Sequence, residues 1–217
     1  MQEHDLRRSL SDELHARAFH DFDGAGRFIR YVFLTSGDTT PVLDYINEFL
    51  LTNGHDPIAS GAKFLRLDMD GYALRVEQHT EFLSLSLIEK GHAARTGLLK
   101  DAFDATVTHL PLAWARGIPA PVFHAIWLEI GGKPPAGTTP ETMKERMQSR
   151  AIASNQFGGG AAQLHFAFDI DEAGFSRIAL YNEKISPNRM GRIVQRIVEL
   201  ETYRMLALLG FATVREN

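Results

Sequence analysis

Ala62-Lys-Phe-Leu-Arg-Leu-Asp-Met-Asp-Gly-Tyr-Ala-Leu-Arg-Val-Glu-Gln-His-Thr-Glu-Phe-Leu-Ser-Leu-Ser-Leu-Ile88 is the stretch that decides the fold. Apolar and polar residues alternate from Ala62 to Asp70 and again from Tyr72 to His79, and the two runs meet at Asp70-Gly71, a dipeptide suited to a tight hairpin turn. A third run, Phe82 to Ile88, follows almost at once. Strands joined this closely pair antiparallel. Apolar residues fall on even numbers at Tyr72, Leu74 and Val76, then on odd numbers at Leu83, Leu85 and Leu87. Because side chains alternate faces, the change of phase at His79-Thr-Glu-Phe82 predicts a bulge, a turn or a passage to another neighbour.

Outward from this stretch the pattern alternates between sheet and helix. Residues 3–18 read as an amphipathic helix with Leu6, Leu10, Leu14 and Arg17 on one stripe. Phe28 to Leu34 reads as a strand buried on both faces. A helix from Thr40 to Leu51 has Asp38 or Thr39 as cap, Pro41 in its first turn and Asn53-Gly54 at its end. Leu98 to Val107 reads as a short helix, Val122 to Ile130 as a strand, 131–140 as a Pro/Gly loop and Glu141 to Ser149 as a helix. Asn155 to Gly160 reads as a flexible loop, and Gln163 to Ile170 and Phe175 to Asn182 as a second hairpin. Ser186-Pro187 opens a terminal helix reaching about Gly210. The expected class is α+β: a mixed or largely antiparallel sheet with helices packed on it, closed by the C-terminal helix, in one domain spanning 1–217.

Composition excludes several chemistries. A chain of 217 residues with 44% hydrophobic content supports one sizeable core. A net charge of -4 offers no general attraction to phosphate, so nucleic acid is not an expected partner. Without cysteine there can be no disulfide, thiolate nucleophile or thiolate metal site. No stretch reaches the roughly 20 apolar residues that span a bilayer, and the N-terminus lacks a signal-peptide run, so the expected location is cytoplasmic. Phosphate-loop, dinucleotide-binding and serine-elbow motifs are all missing.

Four groups of residues can carry chemistry. On one strand face, Glu77, His79 and Glu81 could hold a divalent metal or tune a general base; the bland alternative is a solvated strand face. His15 and Arg17 close the first helix, where Arg17 could clamp a carboxylate or phosphate, or else pair internally with Glu201 or Glu13. Arg189, Arg192 and Arg196, with Glu199 and Tyr203, line one side of the terminal helix as an anion-, partner- or headgroup-binding stripe, or as a solvated face with its own ion pairs. Glu201 and Arg204 fall in the middle of the apolar face made by Met190, Ile193, Val194, Ile197, Val198, Met205 and Leu208. Charges placed there predict a buried polar network, because an unpaired charge out of water costs several kcal/mol (order of magnitude). The all-apolar tail Met205 to Phe211 predicts packing on a second copy or on a further helical part.

Leu14-His-Ala-Arg-Ala-Phe19, Glu77-Gln-His-Thr-Glu-Phe82 and Gly191-Arg-Ile-Val-Gln-Arg-Ile-Val-Glu-Leu-Glu-Thr-Tyr-Arg-Met-Leu-Ala-Leu-Leu209 resemble a bacterial family of uncharacterised, predicted membrane-anchored proteins, domain of unknown function 3422. The resemblance spans nearly the whole chain, with Ala18 where members carry proline. Members continue into a long helical part with hydrophobic segments, so the resemblance implies a globular head of a longer, membrane-linked protein. It implies no activity and transfers no catalytic residue.

Three readings follow. The first is a cytoplasmic binding head that takes a small anionic ligand or a protein partner through His15, Arg17, His79, Glu81 and the terminal-helix arginines. The second is an enzyme of metal-assisted hydrolysis or proton transfer, with His79 as base or ligand, Glu77 and Glu81 beside it and Arg17 on the substrate. The third is an assembly domain in which the buried charges fix helix docking. No cofactor is assigned.

Overall fold

Gly26-Arg-Phe-Ile-Arg-Tyr-Val-Phe-Leu34 is apolar on both sides of its backbone except for two arginines, a pattern that belongs at the centre of a sheet covered on both faces. In the computed structural model, which describes residues 8, 21–35, 37–91 and 96–215 (211–215 as helical backbone only), it is strand β1, Gly26–Leu34. The following elements are α1 (Thr40–Thr52), β2 (Phe64–Asp68), β3 (Tyr72–Gln78), β4 (Phe82–Lys90), α2 (Leu112–Arg116) and β5 (Val122–Gly131). Then come α3 (Pro140–Arg146), β6 (Ile152–Phe157), β7 (Ala162–Ile170), β8 (Ser176–Asn182) and α4 (Pro187–Arg215). All eight strands form one sheet in the order β2-β3-β4-β1-β5-β8-β7-β6. Every neighbouring pair is antiparallel except β5 with β8, so the sheet is mixed and largely antiparallel, and the fold is α+β as expected.

Strand alternation splits the core in two. On one face Ile29, Tyr31, Phe33, Leu74, Leu85 and Trp127 pack with Val42, Ile46 and Leu50 of α1 and with Met143 of α3. On the other, Phe28, Ile88, Ile126, Leu128, Ile178 and Leu180 pack under Met190, Val194 and Val198 of α4. The buried stripe of α4 continues at Thr202, whose hydroxyl donates to the Val198 carbonyl (2.8 Å). Among the described residues no helix is long and apolar enough to cross a membrane.

Three expectations need correction. Residues 98–107 are turns rather than a helix: Phe103 is left-handed (φ 62°) and the Asp104 carboxylate takes the Thr106 amide (2.9 Å), which competes with helical bonding. The short helix lies later, in α2. Residues 155–157 belong to strand β6, whose exposed polar residues suit its place at the sheet edge, and only Gly158 to Gly160 make the turn. The terminal helix passes through Gly210 to Arg215. The phase change at His79 is the β3–β4 turn, closed by the His79 amide on the Phe82 carbonyl (2.8 Å). The first predicted helix, with His15 and Arg17, lies outside the described residues.

One glycine in this frame is a close-approach site. A Cβ on Gly131 would stand 2.3 Å from the Gly97 carbonyl oxygen. That backbone is pinned by the Gly97 amide on the Lys133 carbonyl (2.8 Å) and by the Gly132 amide on the Gly97 carbonyl (3.1 Å). Gly131→Ala is therefore expected to destabilise the protein by about 1–3 kcal/mol, the usual cost of overpacking a site that cannot relax; urea unfolding measures it.

Candidate functional site

The side chains of β1, β3, β4 and β5 that face α4 include a polar strip within the apolar layer. Arg75, Ser86 and Arg30 are register neighbours across β3, β4 and β1. Two residues along, Glu77, Ser84, Val32 and His124 make the next row. The Glu77 carboxylate joins the rows: Oε1 accepts from Arg75 Nη2 (2.7 Å), and Oε2 accepts from Arg30 Nη1 (2.9 Å) and Ser84 Oγ (3.4 Å). Arg75 Nη1 donates to Gln195 Oε1 of α4 (2.7 Å), and the Gln195 amide donates in turn to Glu199. Arg30 is 0% exposed and Arg75 2%.

Two guanidiniums thus share one fully buried carboxylate. Burial lowers the Arg30 pKa, Glu77 works against that, and the neighbouring Arg75 adds to it, leaving the pKa below its ordinary value. Arg30 Nε and Nη2, Arg75 Nε and Ser86 Oγ have no hydrogen-bond partner among the described residues. In the next row, burial holds the His124 imidazole down to about 4, with Arg204 and Arg30 adding repulsion. His124 is therefore a neutral ring at neutral pH.

A second network braces the opposite face. Arg27 donates through Nε to Glu129 (2.7 Å) and through Nη1 to Glu89 (3.0 Å), and Nη2 reaches the Asp101 carbonyl (3.0 Å). Its guanidinium lies 5.1 Å from the centre of the Trp127 ring. Glu129 also accepts from Trp127 Nε1 (2.7 Å) and from the amide of left-handed Phe103 (3.3 Å). Burial opposes the Arg27 charge, but Glu129 first, then Asp101 and Glu89, outweigh it and leave the Arg27 pKa raised, while burial pushes the Glu129 carboxyl above its ordinary range against the pull of Arg27. This set anchors the loop after β4 and leaves no solvent-facing reactive group in the pair itself.

Open concavity lies elsewhere. A groove of about 990 Å³ runs between α1, the loop before β2 and the end of β3, lined by Thr39, Asp44, Asn47, Lys63, Gln78 and His79 among others. Its walls are tied by hydrogen bonds across it. Thr39 Oγ1 donates to Gln78 Oε1 (3.1 Å), Gln78 Nε2 donates to the Ala62 carbonyl (2.6 Å), and Asn47 Oδ1 accepts the Ile58 amide (2.8 Å). His79, in the lining, has its ring stacked on Phe82 with centroids 3.8 Å apart.

The expected site residues distribute as follows. Glu77 is in the buried network and also lines the groove, His79 lines the groove with it, and Glu81 is exposed in the turn between β3 and β4. The expectation of one strand face carrying all three fails, because β3 ends at Gln78 and the chain turns at once. Among the described residues no three His, Asp or Glu side chains are placed to hold a metal ion. Arg192 and Arg196 are exposed on α4. Glu201 and Arg204 are part-buried at the edge of the core; Arg204 donates twice to Glu201 Oε2 (3.0 and 2.8 Å), with the Glu201 side chain 14% and the Arg204 side chain 37% exposed. The expected buried polar network exists, built instead from Arg30, Arg75 and Glu77 of the sheet with Gln195 of the helix.

Arg30 and Arg75 do not stand out in the sequence, because apolar residues dominate the runs that hold them. Their signal was present: a strand buried on both faces buries its arginines too, and each then needs a carboxylate from a neighbouring strand. No curated protein and no solved structure shows significant similarity to the chain. The model of the family described as protein of unknown function (DUF3422) matches residues 2–217, and the chain, with its charged strip, groove and long closing helix, belongs to that family.

Proposed function

We propose that this domain is a ligand-binding module whose site is the groove between α1 and the loop before β2. The observation that carries the reading is the groove itself: about 990 Å³ is at the upper end of the range for small-molecule sites, and its polar walls are held in place by cross-groove hydrogen bonds. The ligand is small and polar and bears an anionic group. Lys63 and His79 line the groove, the first turn of α1 has no acidic residue, and the Glu77 charge is matched by Arg30 and Arg75. Asp44 and Asn47 lie on the α1 wall to receive hydroxyl or amino groups. Within this reading the domain is the cytoplasmic head of a membrane-associated protein, the setting that the family resemblance implies.

The test is an amide-resolved NMR titration of the whole chain with a panel of inorganic phosphate, nucleoside phosphates and di- and tricarboxylates. Shifts are expected at residues 39–44, 58–63 and 77–80 for at least one member. Ser60→Trp, at an exposed position on the rim, fills the groove and should abolish those shifts while leaving the thermal midpoint unchanged. Silence across the panel, or shifts that survive Ser60→Trp, would rule the groove out.

A further inference from the structure

Away from the groove, the β6–β7 ribbon carries a polar tile of four side chains. Ser154 is opposite His165 and Gln156 is opposite Gln163 in the cross-strand register, and period-two alternation puts all four on one face. Ser154 Oγ and His165 Nδ1 are 2.8 Å apart. All four line a separate pocket of about 250 Å³, together with Thr138 and with Pro140 at the start of α3. Ser154 is solvent-exposed on the edge strand, whereas His165 is 3% exposed, set edge-on to Tyr181 with ring centroids 6.0 Å apart. His165 Nε2 has no hydrogen-bond partner among the described residues.

We propose that Ser154 and His165 form a nucleophile–base pair that takes a small acyl group from an activated ester. The arrangement has what such a pair requires: a hydroxyl within hydrogen-bond reach of an imidazole nitrogen, a ring orientation fixed by packing, and a pocket where the carbonyl can sit beside further N–H donors. Burial keeps the imidazole below its ordinary pKa, so the ring is neutral, and Nδ1 accepts the hydroxyl proton when Nε2 carries the ring proton. In the acylation step Ser154 Oγ bonds to the carbonyl carbon and its proton passes to Nδ1. The side-chain amides of Gln156 and Gln163 serve the oxyanion. The ester C–O bond then breaks, the leaving alkoxide takes the proton back from Nδ1, and the alcohol departs. Water repeats the sequence on the acyl-serine and releases the carboxylic acid. The pocket's small volume and amide-rich wall select a short, polar acyl group over a long alkyl chain.

The whole chain is incubated with p-nitrophenyl acetate, and both nitrophenolate release and the intact mass are followed. A burst of nitrophenolate with one acetyl group added, mapped to Ser154, is expected. Ser154→Ala, on an exposed edge position where folding is not at risk, should remove the burst and the adduct; Ser154→Cys should restore acylation. His165→Gln should slow acylation by roughly 100-fold, as loss of a general base does. Acetylation confined to lysines, an adduct that survives Ser154→Ala, or no burst above that variant overturns the proposal. None of these results bears on the groove, which lies at the other end of the sheet.

Discussion

Glu77→Ala will destabilise the protein by about 3–5 kcal/mol, the cost of removing one partner from a buried ion pair and leaving the other charge behind. Here two charges are left behind. Arg30 and Arg75 both donate to Glu77, and both are almost wholly out of water. Urea unfolding of the variant should show the loss as a lower midpoint with an unchanged slope. The informative control is the double substitution Glu77→Leu with Arg30→Met. If the single loss reflects uncompensated charge, the double variant should be more stable than Glu77→Leu alone, because it strands one buried guanidinium, Arg75, instead of two. A double variant no better than the single one would mean that Glu77 acts through packing.

Acidification should cost about 3 kcal/mol of stability through His124 alone. The folded protein holds this imidazole at about 4 against an ordinary value of 6.5, so between those values the unfolded chain binds more protons than the native one. A depressed folded pKa means that the contribution is fully present above the ordinary value, is lost as pH falls through the window from 6.5 to about 4, and levels off below it. After burial, the charges of Arg204 on α4 and Arg30 on β1 add to the cost of forming the imidazolium. His124→Leu removes the titrating group. The difference in unfolding free energy between wild type and His124→Leu should therefore shrink or reverse toward wild-type disadvantage as pH is lowered from 7 to 4. A pH-independent difference would show that the ring is solvated in the native state.

Much of the fold was legible because it rests on local patterns. Alternation from Ala62 to Ile88, the Asp70-Gly71 and Asp171–Gly174 turns and the double-sided apolar run of β1 each specify an element over a few residues. The misreadings share a cause. Residues 98–107 have helical composition, but Phe103 takes a left-handed backbone with its amide on Glu129, a partner 26 positions away. The polar run of β6 looks like loop until the edge of the sheet is known to be its place. The candidate site was less legible. Alternation along one strand groups Glu77, His79 and Glu81, yet Glu77 joins the buried charges while Glu81 is exposed, since the turn that separates His79 and Glu81 from β3 is visible only when β3 and β4 pair.

By itself the sequence determined the α+β class, the central buried strand, the long closing helix and the necessity of a buried polar network, because hydrophobic periodicity and the cost of unpaired charge act wherever the chain folds. Which charges meet was decided by the tertiary structure alone. Rotation of α4 about its axis buries Met190, Val194, Val198 and Thr202 and leaves Glu201 with Arg204 at the margin, while cross-strand register brings Arg30, Arg75 and Glu77 together from β1 and β3. Register and helix rotation are properties of two surfaces meeting, settled by the packing of both at once, and no single stretch of chain contains them.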